Sequence, residues 1–74
     1  MQTGYAIMSE DVDMFYAGED PSHKHKVMLT MLSSEAFPFA YIEDALRTKN
    51  KLNEIGGHYY LVSLDLETRK VIMV

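Results

Sequence analysis

The hydrophobic pattern of this chain changes period at Gly56-Gly57. Before the glycines, Tyr41, Ile42, Ala45, Leu46 and Leu52 fall within one arc of about 140° on a helical wheel. After them the period is two: Tyr60, Val62, Leu64 and Leu66, then Ile72 and Val74 beyond a turn. The switch predicts a helix from Tyr41 to Glu54 followed by a β-hairpin. Glu43 and Asp44 suit the positive end of the helix dipole, and Glu43 with Arg47 is a favourable i,i+4 pair. Ala40 stands where a capping Ser, Thr or Asp is expected, and Lys49 lies inside the apolar arc and must snorkel. Gly56 is a natural residue for the left-handed position that ends a helix.

In the hairpin, His58 to Leu66 reads as one strand and Lys70 to Val74 as its partner. A three-residue loop, Glu67-Thr68-Arg69, puts Arg69 in the left-handed region and sets Leu64 opposite Ile72, Val62 opposite Val74 and Ser63 opposite Met73. The Val62 and Leu64 face is assigned to the helix. Tyr59, Leu61, Val71 and Met73 then project from the reverse face.

Upstream, Tyr5 to Ser9 and Met14 to Ala17 read as two strands around the acidic turn Glu10-Asp11-Val12-Asp13. Gly18 to Lys26 is an uninterrupted polar loop. Val27 to Leu32 is a short apolar run open to strand or helix; its β-branched Val27 and Thr30 favour strand. Ser33 to Ala36 is a loop or one helical turn. Pro38 holds Phe37 extended, and Phe37 and Phe39 are expected to plug the end of the core. The expected fold is therefore α+β: one domain over 1–74, an antiparallel sheet of four to five strands with one main helix packed on one face.

Composition narrows the function classes. Seventy-four residues allow one core, and no cysteine is present to staple it. An apolar fraction of 47 % is that of a folded globule, so disorder is not expected. Seven scattered basic residues against eleven acids, a net charge of −4, argue against direct nucleic-acid binding. No run reaches the roughly 18 apolar residues of a membrane span, and the first residues lack the basic and apolar regions of a signal peptide. A cytoplasmic location with no membrane contact is the expectation.

No residue set carries recognisable catalysis. His23 and His25 are spaced as His-x-His, but in a polar loop between lysines, short of the four ligands a metal needs. His58 begins a strand and reads as an ordinary strand residue. Glu10, Asp11 and Asp13 lack the Gly and distant Glu of a calcium loop. Ser33 and Ser34 have no adjacent base, and Gly56-Gly57 leaves a helix rather than opening one, the wrong dipole end for phosphate. The five tyrosines read as core packing before they read as a binding face. The expectation is a non-enzymatic chain with no cofactor, no metal and no catalytic residue.

What remains is binding to another protein. Tyr and Met are enriched at interfaces. Tyr59, Leu61, Val71 and Met73 form the candidate contact face, with the acidic turns at Glu10, Asp11 and Asp13 and at Glu19 and Asp20 as a second surface. The terminal Val-Ile-Met-Val, if at a sheet edge, offers a homodimer by strand addition through the C-terminal hairpin. The alternative is a homo-oligomer that binds a small ligand in a cleft between subunits.

The run Glu35-Ala36-Phe37-Pro38-Phe39-Ala40-Tyr41-Ile42-Glu43-Asp44-Ala45, with Tyr5-Ala6-Ile7 before it, resembles the strand-to-helix junction of small α+β accessory proteins carried by phages and mobile elements. The aromatics of Ala36-Phe37-Pro38-Phe39 are spaced differently, and Ala40 replaces the usual capping Ser or Thr. The resemblance implies an accessory protein or an inhibitor of bacterial defence that acts by binding a host protein or sequestering a ligand. It carries over no functional residue.

Overall fold

The computed structural model describes residues 2–22 and 26–72. Within them the chain forms strands β1 (Thr3–Ser9), β2 (Phe15–Glu19) and β3 (Val27–Thr30), a single 3₁₀ turn (Ser33–Glu35), helix α1 (Ile42–Glu54) and strand β4 (Tyr59–Asp65). The sheet is antiparallel, in the order β3-β2-β1-β4. Of the ambiguous run Val27 to Leu32, Val27–Thr30 is strand, and Ser33–Glu35 takes the helical-turn option.

Local chemistry sets the boundaries. The β1–β2 turn closes when Ser9 N–H donates to the Met14 carbonyl (2.8 Å) and Asp13 N–H to that of Ser9 (3.0 Å). It needs Asp13 at φ 53°, a left-handed conformation that Asp tolerates. Tyr41, in extended conformation, precedes α1 without a side-chain cap. The charged pair on the helix is Asp44 with Arg47 (3.2 Å) rather than Glu43 with Arg47, and both side chains are exposed, so it contributes little. The end of α1 is a Schellman motif: Gly57 N–H donates to Leu52 O and Gly56 N–H to Asn53 O, both at 3.2 Å, with Gly56 at φ 101°. Asn53 then starts β4, its Oδ1 accepting from Tyr59 N–H at 2.8 Å.

The Phe-Pro-Phe segment does more than plug an end. β1 pairs with β2 at Met8 and Phe15. Nearer the start of β1, the segment takes the place beside it. Phe39 and Tyr5 exchange both backbone bonds (2.8 and 2.9 Å), while Phe37 N–H donates to Tyr16 O (2.9 Å). Pro38, which has no N–H, sits between these two donors. Phe39 is buried, but Phe37 stays 44 % exposed, stacked obliquely on Tyr16 and Phe39.

The register of β1 with β4 sets Ile7 beside Leu61 and Ala6 beside Val62, which sorts the apolar side chains onto two faces. On one, Ile7, Tyr16 and Phe39 pack with Ala45 and Leu52 of α1, and Tyr5, Val27, Tyr59 and Leu61 join them. On the other, Ala6, Phe15 and Leu64 pack with Ala36, joined by Met8, Val62, Leu66 and Val71. The helix therefore covers the Tyr59 and Leu61 face, not the Val62 and Leu64 face expected from sequence. Both faces of β4 are apolar, so period-two alternation cannot choose between them. The choice is made by Ile7, Tyr16 and Phe39, which line up on the Leu61 side.

The C-terminal hairpin is also one residue out of the expected register. Asp65 N–H donates to Lys70 O (2.9 Å) and Arg69 N–H to Asp65 O (2.7 Å), which leaves Leu64 opposite Val71 instead of Ile72. A one-residue slip exchanges faces, and Val71 joins Leu64. Arg69 is left-handed, as its loop position requires, at φ 61°. Its Nη2 donates to Ala36 O at 3.0 Å, tying this loop to the segment after the 3₁₀ turn. The pairings expected of Met73 and Val74 lie outside the described residues.

Candidate interaction surface

The four residues expected to form one contact face are dispersed. Tyr59 and Leu61 are half-buried under α1. Val71 lies on the opposite side of the sheet with Leu64. Met73 is outside the described residues, as is the His23-x-His25 pair.

The acidic turns do not make one second surface either. Glu10, Asp11 and Asp13 are exposed just before β2 begins, and Glu19 and Asp20 are where it ends. At about 3.3 Å per residue, a strand of this length keeps the two groups at opposite ends of the sheet. Glu19 lines a cavity of about 290 Å³ with Val27, Lys51, Leu52, Glu54 and Ile55, between the second half of α1 and the β2–β3 pair. This is small for a ligand pocket. Tyr16, almost fully buried in the same layer, has its phenol pushed above the ordinary range by burial and by the neighbouring Glu19 and Tyr59, so it stays neutral and serves packing.

Asp65 organises the last loop. Its Oδ1 accepts from Glu67 N–H (2.9 Å) and Thr68 N–H (3.4 Å), and these donors hold its carboxyl below the ordinary value of 3.8. A carboxyl lowered in the folded state stabilises fully above that ordinary value, and the contribution is lost as pH falls through the lowered one. Melting temperature is therefore expected to drop on acidification below 3.8, and Asp65→Ala to flatten that limb in pH-dependent thermal melts.

Sequence reasoning missed two surfaces. The first is on α1. Only Ala45 and Leu52 of its apolar stripe are buried. Tyr41, Ile42 and Leu46 stand out at 68, 42 and 38 % exposure. Thr48 and Lys49 are half-buried beside Ala45 and Leu52, so the inner face is 45-48-49-52, rotated away from Ile42 and Leu46. Lys49 inside the apolar arc was the available sign of this rotation. The second surface is the open edge at β3, where Met28 is 41 %, Met31 79 % and Leu32 56 % exposed. No described helix is long and apolar enough to cross a membrane. Among the described residues no cluster of three or more His, Asp or Glu could hold a metal ion. Comparison with models of protein families, with curated proteins and with solved structures yields no match.

Proposed function

We propose that this chain is a non-enzymatic protein-binding module, of the accessory or inhibitor type, that docks α1 into an apolar groove of another protein. The observation that supports the reading is the exposed row Tyr41, Ile42 and Leu46 on a helix whose core-facing side is complete without it. Ile42 and Leu46 are i,i+4 neighbours, the spacing with which a helix fills a groove. Each exposed apolar side chain gives up roughly 25 cal/mol per Å² that only a partner can recover. Glu43 and Asp44 flank the row, and the chain carries −4 overall, so a groove with a basic rim is the complementary surface.

The test replaces Ile42→Gln and Leu46→Gln together. Both positions are exposed, so the melting temperature is expected to stay within a few degrees of the parent. The parent protein, immobilised and passed over lysate of its native cell, is expected to retain a partner that the double variant loses by about tenfold or more. An equal yield from the variant, or no retained protein from the parent, would overturn the reading.

A further inference from the structure

We propose that two copies of this chain associate through β3, antiparallel and centred on Leu29, to make one continuous sheet. The backbone geometry of the edge carries the argument. Tyr16 faces Leu29 and Phe15 faces Thr30. The Tyr16 carbonyl is taken by Phe37 N–H (2.9 Å) on the β1 side, and Ser9 N–H donates to Met14 O (2.8 Å). Phe15, next to each, therefore directs its backbone groups at β3, and Phe15–Thr30 is the hydrogen-bonded pair. At the other end, Asp20 N–H donates to Lys26 O (2.8 Å), so Lys26 also points inward. Alternation then turns the N–H and C=O of Val27 and Leu29 out of the sheet, and with the Thr30 carbonyl inward the N–H of Met31, just past the end of β3, points out as well. Among the described residues no turn, loop or cap takes any of these groups.

That row is self-complementary. With the two-fold axis at Leu29, Leu29 faces Leu29 of the second copy, and Val27 faces its Met31. These are the hydrogen-bonded positions of an antiparallel ladder: the two Leu29 residues exchange N–H and C=O, and Met31 N–H meets the Val27 carbonyl of the other copy. Met28 faces Thr30 of the other copy across the reverse side. Residues 27–32 contain no charged residue, no Pro and no Gly. The devices by which monomeric proteins protect an edge, inward charges and prolines, are absent there. Lys26 falls opposite Leu32, so no like charges meet despite the net −4 of each copy. The opposite edge is differently placed. Beyond β4, Ile72 N–H already donates to Ser63 O (2.9 Å), so the C-terminal hairpin is occupied up to Ile72. An interface of this few residues is well below the roughly 20–30 a side of standard complexes, so the dimer is expected to dissociate on dilution.

Analytical ultracentrifugation of the full chain, from low micromolar to about millimolar, reads the equilibrium directly. The parent is expected to shift from monomer to dimer. Met31→Pro removes an outward N–H at an exposed edge position where Pro is tolerated, and is expected to weaken the dimer by about tenfold or more. Leu29→Lys and Leu29→Asp each place like charges face to face and are expected to be monomeric alone, while an equimolar mixture dimerises. That rescue is specific to a two-fold axis at Leu29. A parent that stays monomeric throughout overturns the proposal, as does a Met31→Pro variant that dimerises like the parent, even if the Leu29 variants fail to fold. The Ile42→Gln, Leu46→Gln variant keeps β3 intact and is expected to dimerise normally, which separates this contact from docking through α1.

Discussion

Leu64→Ala is expected to lower the melting temperature by tens of degrees, while Leu46→Ala, the same chemical change, leaves it within a few degrees of the parent. Leu64 is fully buried among Ala6, Phe15 and Ala36. Two of those neighbours are alanines with no rotamers to swing into the space, which leaves it to the partly buried Met8, Val62, Leu66 and Val71 to fill the hole in part. Truncating a buried leucine costs about 2–5 kcal/mol, with the upper end reached where the site cannot collapse. A domain of this size is stable by roughly 0.05–0.15 kcal/mol per residue, and each kcal/mol is worth about 4–8 °C. The loss is therefore a large fraction of the whole stability. Leu46 is 38 % exposed and belongs to neither buried cluster. Thermal melts followed by circular dichroism compare the two variants. Equal shifts would mean that the second layer, on the sheet face away from α1, does not exist as described.

That contrast also marks where pattern reading stops. Leu46 and Leu64 are equally apolar and both sit in clear periodic stretches. Periodicity identified the elements because it reflects local geometry: Gly56 ends α1, Pro38 keeps its own segment extended, and Asp13 allows the first turn. From these an α+β architecture with four to five antiparallel strands follows, and the sheet has four. The facing of β4 does not follow, because residues on both of its sides are apolar and the decision is made by Ile7, Tyr16 and Phe39, far away in the chain.

The candidate surfaces inherited that ambiguity. Tyr59 and Leu61 were free only if α1 took the other side. Val71 shared their face only if the last loop had three residues; Asp65, bonded to Lys70 and Arg69, makes it four. The outward-facing backbone row at β3 has no side-chain signature in sequence. It becomes visible once Phe15, Tyr16 and Lys26 fix which carbonyls turn inward.

Gly4→Ala is expected to be strongly destabilising although it adds a single methyl group. Gly4 has no left-handed backbone, so alanine's φ and ψ are satisfied and any loss is steric. An added Cβ would lie 2.6 Å from the Phe39 carbonyl oxygen, 2.6 Å from Leu66 Cδ2 and 2.8 Å from its Cγ. Leu66 can rotate; the Phe39 carbonyl cannot move without breaking its bond from Tyr5 N–H at 2.8 Å. That bond and its mate hold the Phe-Pro-Phe segment against β1 and thereby seat Phe39 in the core beside Ile7 and Ala45. Overpacking of this kind costs about 1–3 kcal/mol, and a bridge forced open adds unmade hydrogen bonds. Gly56→Ala is the control of opposite kind. Nothing lies within 4 Å of its would-be Cβ, and φ is 101°, so its penalty is conformational strain of about 1–2 kcal/mol confined to the end of α1. Amide hydrogen exchange distinguishes them. Gly4→Ala should expose the amides of Tyr5, Phe37 and Phe39 together, because one displaced segment carries all three bonds. Gly56→Ala should leave those amides protected and speed exchange only at Gly57 and its neighbours. If Gly4→Ala leaves Phe39 protected, the segment is held by something other than its close approach to Gly4.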